Sequence, residues 1–459
     1  MAGSPARGEA RPLSVGQQAM WFLQRLAPGS TAYTMMVAVR VRGPLDVGRL
    51  RRATAAVVAR HELLRSVFTE VGGVPHRLAA DLPVPLSVRD VGAVGDDVLC
   101  DLVREAGREP FDLEAGGAFR VTLVRRDARD AVLMLVSHHI VSDAMSQWLV
   151  LRDLLWAYDE GDAPGWPPLG RTFDDYVRGE AELLASPRRQ RLERYWREVC
   201  EGAVPARLPA DRPRPGTPSL RGAATAVSFS RETGARLVGS ARELGVSPFA
   251  PLVAALQAVL YRYAGGGDFL IGCPASTRFT GGMRNVAGYF ANTLPIRASL
   301  TPATTFGAAA VAAQRAMVGG VAHAALPSAL IGELTPGRAP LFHVAINLLP
   351  MEAMDPPLPL AADGSVEGPE TTHRGLRLAA YDVPQMEGQF DLMVDVRKAG
   401  DLFTAVVKHD TDLFEPDTVR RFAGHFRRAV ETGVPDLPVG RFPLVDDDEV
   451  RRLLALGSA

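Results

Sequence analysis

Cysteine and lysine are both scarce in this sequence of 459 residues. The three cysteines, Cys100, Cys200 and Cys273, lie far apart and form no Cys-x-x-Cys pair, so neither a disulfide framework nor a cysteine-based zinc site is predicted. Lysine occurs only at Lys398 and Lys408, and the other basic residues are arginines scattered along the chain. We interpret this bias as codon composition rather than phosphate binding. The cysteine pattern fits a reducing compartment.

Net charge and long apolar runs are also lacking. The formal net charge is −1 and the isoelectric point is near 6.8, so no overall field recommends nucleic acid or an anionic membrane as a partner. No segment approaches the roughly 18 apolar residues of a membrane span, and residues 1–12 lack the apolar stretch of a secretion signal. We therefore expect a cytoplasmic protein with a loose N-terminus over residues 1–12.

Two lobes of mixed α/β type fit the length and the pattern best. Hydrophobic residues make up 47% of the chain and charged residues 22%, which is ordinary for a protein with a sizeable interior. Residues 202–218 are rich in proline, so we predict a connector at 186–222 between lobes at 13–185 and 223–459. Apolar periodicity predicts helices over 47–64, 144–158, 231–244, 248–263 and 415–432, and strands over 66–71, 74–78, 119–125, 131–137, 223–229, 268–273, 341–349, 390–396 and 402–409.

Two adjacent histidines follow the most apolar of these strands. His138 and His139 stand at the end of strand 131–137, just before a predicted helix. Imidazole titrates near neutral pH, so a neutral histidine can accept a proton from an incoming amine or alcohol. A strand-end histidine pair is also often merely packed and hydrogen-bonded. No metal site is predicted, because adjacent strand residues point to opposite faces and no HExxH pattern is present.

Asp143 has two interpretations at this stage. An aspartate directly before a helix is a preferred N-cap. It could equally be a buried carboxylate that pairs with an arginine and shapes the histidine loop, since a buried ion without a partner is costly.

The HHxxxD pattern of residues 138–143 occurs here with further motifs in a fixed order. Together they resemble the condensation domains of nonribosomal peptide synthetases, nearly from end to end. The matching segments are 13–23 (LSVGQQAMWFL), 60–65 (RHELLR), 172–176 (TFDDY), 195–196 (YW), 208–215 (LPADRPRP), 288–297 (GYFANTLPIR), 338–342 (RAPLF) and 390–392 (FDL).

The resemblance implies a fold, an activity and partners. Condensation domains are V-shaped pairs of chloramphenicol-acetyltransferase-like lobes with a central tunnel. Carrier proteins dock at the two mouths, and the acceptor's nucleophile attacks the thioester that the donor carries on its phosphopantetheine arm. We therefore expect an acyltransferase that forms an amide or an ester in natural-product biosynthesis. We expect no bound cofactor, a carrier protein as donor, a second carrier or a soluble amine or alcohol as acceptor, and a monomer.

Site roles are carried over onto matching residues. The resemblance makes His139 the catalytic histidine, His138 its support and Asp143 a structural carboxylate, with Arg65 and Arg278 as candidate ion-pair partners. Ala144 stands where the family usually has glycine, so the site is expected to be slightly narrower or its loop differently set, with activity retained. Tunnel positions are expected at Gly288, Tyr289, Asn292 and Asn347.

Several alternatives stay open. Because no carrier-protein or adenylation sequence is attached between Met1 and Ala459, we expect a free-standing enzyme rather than an excised domain. An epimerization domain shares the double histidine, although segments 60–65 and 288–297 look like condensation. An acyltransferase that uses coenzyme A would share the fold and the histidine. A non-catalytic recruitment module of the same fold is the third alternative.

Overall fold

The computed structural model describes residues 8–161, 164–278, 282–335, 340–361, 365–383, 390–445 and 450–451. Within them the helices are α1 (Val15–Leu26), α2 (Val47–Arg60), α3 (Asp96–Gly107), α4 (Ala144–Glu160), α5 (Phe173–Ala185), α6 (Arg188–Cys200), α7 (Arg231–Glu243), α8 (Phe249–Ala264), α9 (Phe306–Ala322), α10 (Ser328–Glu333) and α11 (Pro416–Thr432). The strands are β1 (Arg11–Pro12), β2 (Thr34–Arg42), β3 (Ser66–Val71), β4 (Val74–Ala79), β5 (Leu86–Asp90), β6 (Phe119–Arg125), β7 (Asp130–His138), β8 (Val204–Pro205), β9 (Gly222–Ser228), β10 (Asp268–Ser276), β11 (Ala291–Ser299), β12 (Val344–Pro350), β13 (Thr371–His373), β14 (Leu376–Ala380), β15 (Leu392–Ala399) and β16 (Leu402–Asp410).

The first large sheet positions the double histidine. Its described strands run in the order β13-β14-β2-β7-β6-β5, and β7 pairs antiparallel with both β2 and β6. Every residue of β7 after Asp130 is buried, which explains the continuous apolar run of this strand. The register sets Thr34 opposite His138, so the histidines emerge where the central strand of this lobe ends.

The second large sheet supplies the facing wall. Its described strands run in the order β11-β10-β12-β15-β16-β9, with β8 beside β10. Along β16 the side chains alternate: Ala405 and Val407 are buried in the core, whereas Thr404, Val406 and Lys408 are partly exposed and line a cavity. Such a period of two is expected of a strand with one covered face.

Two hydrophobic cores correspond to the two lobes, but their chain segments interleave. Helix α6 lies inside the range predicted as a connector, yet its Trp196 is fully buried in the second core. Conversely, Met283 to Phe290 contribute to the first core, and β14 pairs with β2 of the first sheet. The connector is therefore shorter than predicted. An apolar side chain on each turn of α6 (Leu192, Trp196 and Cys200) lets it pack as an amphipathic helix.

The N-terminal segment also differs from the expectation. Residues 1–7 lie outside the described part of the chain, but Arg11 and Pro12 form β1 against β4. Arg11 makes ion pairs with Glu62 and Asp174. These contacts fix the end of the predicted loose segment to the first lobe.

The predicted helices and strands are present, with ends that shift by a few residues. The largest difference among the helices is at 47–64, where α2 ends at Arg60 and a short 3-10 turn covers Glu62–Arg65. Of the motif segment 338–342, the first two residues lie outside the described part of the chain.

Candidate active site

A cavity of about 790 Å³ lies between the two large sheets. Strand β2 and the loop after β7 line it from the first lobe, and β12, β15 and β16 line it from the second. His139 is part of the lining. A cavity with apolar walls and a few converging polar groups is typical of a substrate site.

The hydrogen bonds of His139 assign its tautomer. Its backbone N–H donates to the Tyr33 carbonyl at 2.7 Å, which holds the short turn His139–Val141 against the first sheet. The ring Nδ1 lies 2.6 Å from the carbonyl oxygen of Ser142. Because a carbonyl oxygen can only accept, Nδ1 carries the proton and Nε2 keeps its lone pair. The ring is therefore prepared to take a proton at Nε2.

The surroundings of His139 favour its neutral form. Desolvation lowers the pKa of His139 below its ordinary value, and the positive charge of Lys408 adds to that effect. The Ser142 carbonyl and the Asp143 carboxylate act in the opposite direction. Tyr289 meets the imidazole edge to face, with ring centroids 4.9 Å apart, and fixes the ring plane.

His138 points away from this arrangement. Only 2% of its surface is exposed. Its Nδ1 accepts the Ile140 N–H at 3.1 Å, and its Nε2 lies 3.2 Å from the amide oxygen of Gln24. Burial and the neighbouring His139 lower the pKa of His138 to about 3, so it is neutral at physiological pH. Its position supports the histidine turn and does not reach the cavity lining.

Asp143 is fully engaged in holding the site together. It caps α4, since Oδ1 accepts the Ser146 N–H at 2.7 Å, and the same oxygen lies 3.1 Å from Nη2 of Arg278. Its Oδ2 accepts the Phe290 N–H at 3.1 Å. The guanidinium of Arg278 also donates to the Val286 carbonyl at 2.5 Å and lies over the Phe290 ring. Asp143 is therefore both the N-cap of α4 and the ion-pair partner of Arg278.

Arg65 was a wrong candidate for this ion pair. Its guanidinium lies 3.9 Å from Glu62, one turn back in its own 3-10 segment. The neighbouring residues of the same motif explain its place in the fold: Arg60 and His61 each contact the buried carboxylate of Asp153 at 2.9 Å. Segment 60–65 thus holds α4 through Asp153, and none of its residues is part of the described cavity lining.

Gly288 was also placed wrongly, because it is not part of the described cavity lining. Its carbonyl accepts a hydrogen bond from Ser146 Oγ at 2.8 Å, and its N–H donates to the same oxygen at 3.0 Å. A Cβ atom at this position would lie 2.1 Å from a ring carbon of Phe173. Glycine is needed here because the Phe173 ring of α5 leaves no room for a side chain.

Ala144 is the first residue of α4 and lines the cavity. Among the non-glycine residues that the structure describes, positive φ occurs at Leu220 and Arg374 only. Ala144 therefore has an ordinary helical backbone, which alanine adopts without strain. The methyl group narrows the cavity locally but does not force the loop into another conformation.

The remaining predicted tunnel residues, Tyr289, Asn292 and Asn347, line the cavity. Asn292 is largely occupied by the fold: its amide donates to the Ala324 and Leu326 carbonyls at 2.8 Å each. Asn347 lies 3.5 Å from the Asp395 carboxylate.

Two pairs of ionisable residues in the cavity wall were missed. Lys408 and Asp395 form an ion pair of 2.6 Å on β16 and β15. His343 and Asp391, 3.1 Å apart, lie in the lining beside Arg214. Strand alternation on β16 and the rarity of lysine were the available signals for Lys408.

No group of three or more His, Cys, Asp or Glu side chains is suitably arranged to hold a metal ion in the described part of the chain. Over the same residues, no helix is both long and apolar enough to cross a membrane.

Comparisons with known proteins agree on one family. The Condensation domain model matches residues 8–454. Phosphinothricin tripeptide synthetase PhsC of Streptomyces viridochromogenes is 32% identical over 96% of this chain, and a linear gramicidin synthase from Brevibacillus parabrevis is 31% identical over 98%. The chain spans 41% and 9% of their lengths.

Solved structures share the fold. The X-domain from teicoplanin biosynthesis has a TM-score of 0.82 and 26% identity, over 96% of this chain and 99% of that chain. The first condensation domain of the calcium-dependent antibiotic synthetase has a TM-score of 0.78 at 22% identity, over 96% of this chain and 100% of that chain. The predicted mixed α/β fold with two chloramphenicol-acetyltransferase-like lobes is thereby confirmed.

Proposed function

The chain belongs to the condensation-domain family, and from that membership we propose that it transfers an acyl or aminoacyl group from a carrier-bound thioester to an amine or a hydroxyl group. The observation that carries the proposal is the hydrogen bond between His139 Nδ1 and the Ser142 carbonyl. It leaves the Nε2 lone pair of a cavity-lining imidazole as the proton acceptor.

The reaction requires few groups. The nucleophile attacks the thioester carbonyl, a C–N or C–O bond forms and the C–S bond breaks. His139 accepts the proton of the nucleophile at Nε2 and returns a proton to the departing thiolate. Because a thioester is already activated, alignment of the two substrates in the cavity supplies much of the remaining acceleration. No covalent acyl-enzyme is needed.

The developing oxyanion requires a donor, and the start of α4 offers one. Ser146 N–H is taken by Asp143 and Gln147 N–H by the helix, whereas Ala144 N–H precedes the helical ladder at a residue that lines the cavity. A helix N-terminus favours negative charge. Ala144 N–H is therefore our candidate for stabilising the oxyanion.

The substrates are delivered rather than bound as cofactors. We propose that the phosphopantetheine arm of a carrier protein reaches His139 through the cavity, and that the enzyme holds no cofactor of its own. The acceptor is a second carrier-bound group or a soluble amine or alcohol. A cytoplasmic monomer is the setting in which we propose these partners meet.

The test is an acyl-transfer assay with the purified protein. Donors are aminoacyl groups on a carrier protein or on coenzyme A, acceptors are paired amines and alcohols, and mass spectrometry identifies amide or ester. We expect transfer from the carrier and its loss in His139→Ala, with the matched variant His76→Ala, on β4 and outside the cavity lining, unchanged. Efficient transfer from coenzyme A instead, or undiminished product with His139→Ala, would contradict the proposal.

A recruitment role is the second candidate. One X-domain neighbour, at 27% identity and a TM-score of 0.81, was solved in a complex with OxyB. A condensation-like chain can thus serve as a docking platform. For this chain, that role would be supported by stable binding of a partner protein together with absence of transfer under every donor in the assay above.

A further inference from the structure

One charged pair in the cavity transfers no proton in the proposed chemistry, although Lys408 lowers the pKa of His139. Lys408 and Asp395 sit on adjacent strands of the second sheet, and both line the same cavity as His139. Their side chains are 20% and 15% exposed. Charges withdrawn from water to this extent are costly unless they are paired and their remaining donors and acceptors are hydrogen-bonded.

The two partners are not equally satisfied. Asp395 Oδ2 contacts the Lys408 ammonium at 2.6 Å, and its Oδ1 faces the Asn347 amide at 3.5 Å. An ammonium has three N–H donors, and Asp395 is the partner of Lys408 among the residues that the structure describes. Two donors are therefore available to a group that enters the cavity. The pair is better prepared for an anion than for a cation.

The choice of lysine at this position is itself informative. Only two of the 51 basic residues of the chain are lysines. An arginine would present a planar fork suited to a bidentate bond with Asp395, whereas lysine presents a compact charge with donors in several directions. The neighbouring wall positions Met393 and Val406 are apolar, so the ammonium lies beside an apolar surface, with Asn347 and Asp395 as the polar groups next to it.

We propose that the Lys408 ammonium, held in place by Asp395, forms a subsite that selects a substrate bearing a carboxylate. The inference rests on the proposed acyl transfer and names a substrate class for it. The carboxylate belongs either to the acyl donor, as in a dicarboxylic or acidic aminoacyl group, or to a soluble acceptor such as a free amino acid. Lys408 is a specificity-determining residue in this scheme and transfers no proton.

The test measures binding in the His139→Ala background, so that turnover does not consume the probes. Two matched pairs are titrated calorimetrically. The donor pair is the N-acetylcysteamine thioester of glutaric acid and that of its monoamide, and the acceptor pair is β-alanine and β-alaninamide. In one of the two pairs we expect the carboxylate to bind at least tenfold more tightly than the amide. The pair that shows this preference tells whether the selected carboxylate belongs to the acyl donor or to the acceptor.

Substitutions assign the preference to the pair. Lys408→Met is expected to abolish the carboxylate preference, and Lys408→Arg to retain part of it. Lys398→Met is the matched control, because Lys398 pairs with Glu352 outside the cavity lining. Circular dichroism verifies that each variant is folded. The double exchange Asp395→Lys with Lys408→Asp keeps both charges and is expected to remove the preference as well.

The outcomes separate the two proposals. Equal binding of carboxylate and amide in both pairs, or a preference that survives Lys408→Met, would overturn the carboxylate subsite. Neither result affects the acyl-transfer proposal, which stands or falls on product formation by the protein with His139 intact. A carboxylate preference without any product would instead support the carboxylate subsite and contradict the acyl-transfer proposal.

Discussion

Asp143 and Arg278 join the two lobes at the candidate active site. The aspartate caps the first turn of α4, the arginine follows β10 of the second sheet, and their charged groups lie 3.1 Å apart. The carboxylate also accepts two backbone N–H bonds, one from Ser146 in α4 and one from Phe290, just before β11. The start of α4, directly after the histidine turn, is therefore held by the chain segment that follows β10.

Removing this carboxylate should destabilise the fold. Asp143→Ala leaves the Arg278 guanidinium without its carboxylate and two N–H groups without acceptors, so we expect a loss of about 3–5 kcal/mol in the free energy of unfolding. Denaturant unfolding measures it. Glu114→Ala, which removes an exposed ion pair with Arg25, should cost less than about 1 kcal/mol. Equal losses for the two variants would show that the Asp143–Arg278 pair contributes no more to stability than an exposed ion pair.

The pH dependence of transfer should reflect the lowered pKa of His139. The neutral ring is the active form, so the rate falls when the pH falls through its pKa, and a lowered pKa puts that decline below pH 6.5. The measurement is kcat/KM against pH. Lys408→Met removes a positive charge that depresses this pKa, so the acid limb should move to higher pH. An acid limb above pH 7 in the unsubstituted protein would rule out this description.

His138 should make the fold sensitive to acid. Its pKa is about 3 in the folded protein and near 6.5 in the unfolded chain, so between these values the unfolded state binds a proton that the folded state does not. Stability is therefore lost as the pH falls below 6.5, at about 1.4 kcal/mol per pH unit. When the free energy of unfolding is measured from pH 7 to pH 5, it should fall less steeply with decreasing pH in His138→Gln, and the difference should approach that slope. Identical slopes would mean that His138 is not buried in its neutral form.

Ala144 should be compatible with activity. Because it begins α4 without positive φ, the glycine that the family usually carries is not required by the backbone. We expect Ala144→Gly to change kcat/KM by less than about threefold, since it removes only one methyl group from the lining. A protein that is inactive until this substitution is made would contradict the expectation.

The parts of the fold that depend on local pattern were predictable, and those that depend on distant pairing were not. The apolar run of β7 and the start of α4 place His139 from sequence alone, because neighbouring residues determine both elements. Strand β14 joins the first sheet from more than 300 residues beyond β2, and its short sequence gives no sign of that partner. The predicted connector failed for a similar reason, because its helix α6 has few apolar residues and is buried only by tertiary contact.

The site shows the same division. Motif matching named both Arg65 and Arg278 as partners of Asp143, and only the folded chain distinguishes them, since the two arginines are equally charged. Lys408 and Asp395 were missed because a lysine on a strand is ordinarily a solvated surface residue. Their shared cavity is visible only when β15 and β16 are paired.

Gly288 provides the sharpest test of how the segment from Met283 to Phe290 is held against α4 and α5. Gly288→Ala puts a methyl group where Phe173 already lies, at a backbone position that exchanges two hydrogen bonds with Ser146. Either the ring or the backbone must shift, and overpacking of this kind costs about 1–3 kcal/mol. Gly239→Ala is the matched control, because its added carbon meets open space inside α7 and should stabilise the helix by up to about 1 kcal/mol.

Since the displaced backbone also carries the Phe290 N–H that binds Asp143, transfer should fall in Gly288→Ala even at temperatures where the protein remains folded. Full activity in the folded variant would show that the histidine turn does not depend on this contact.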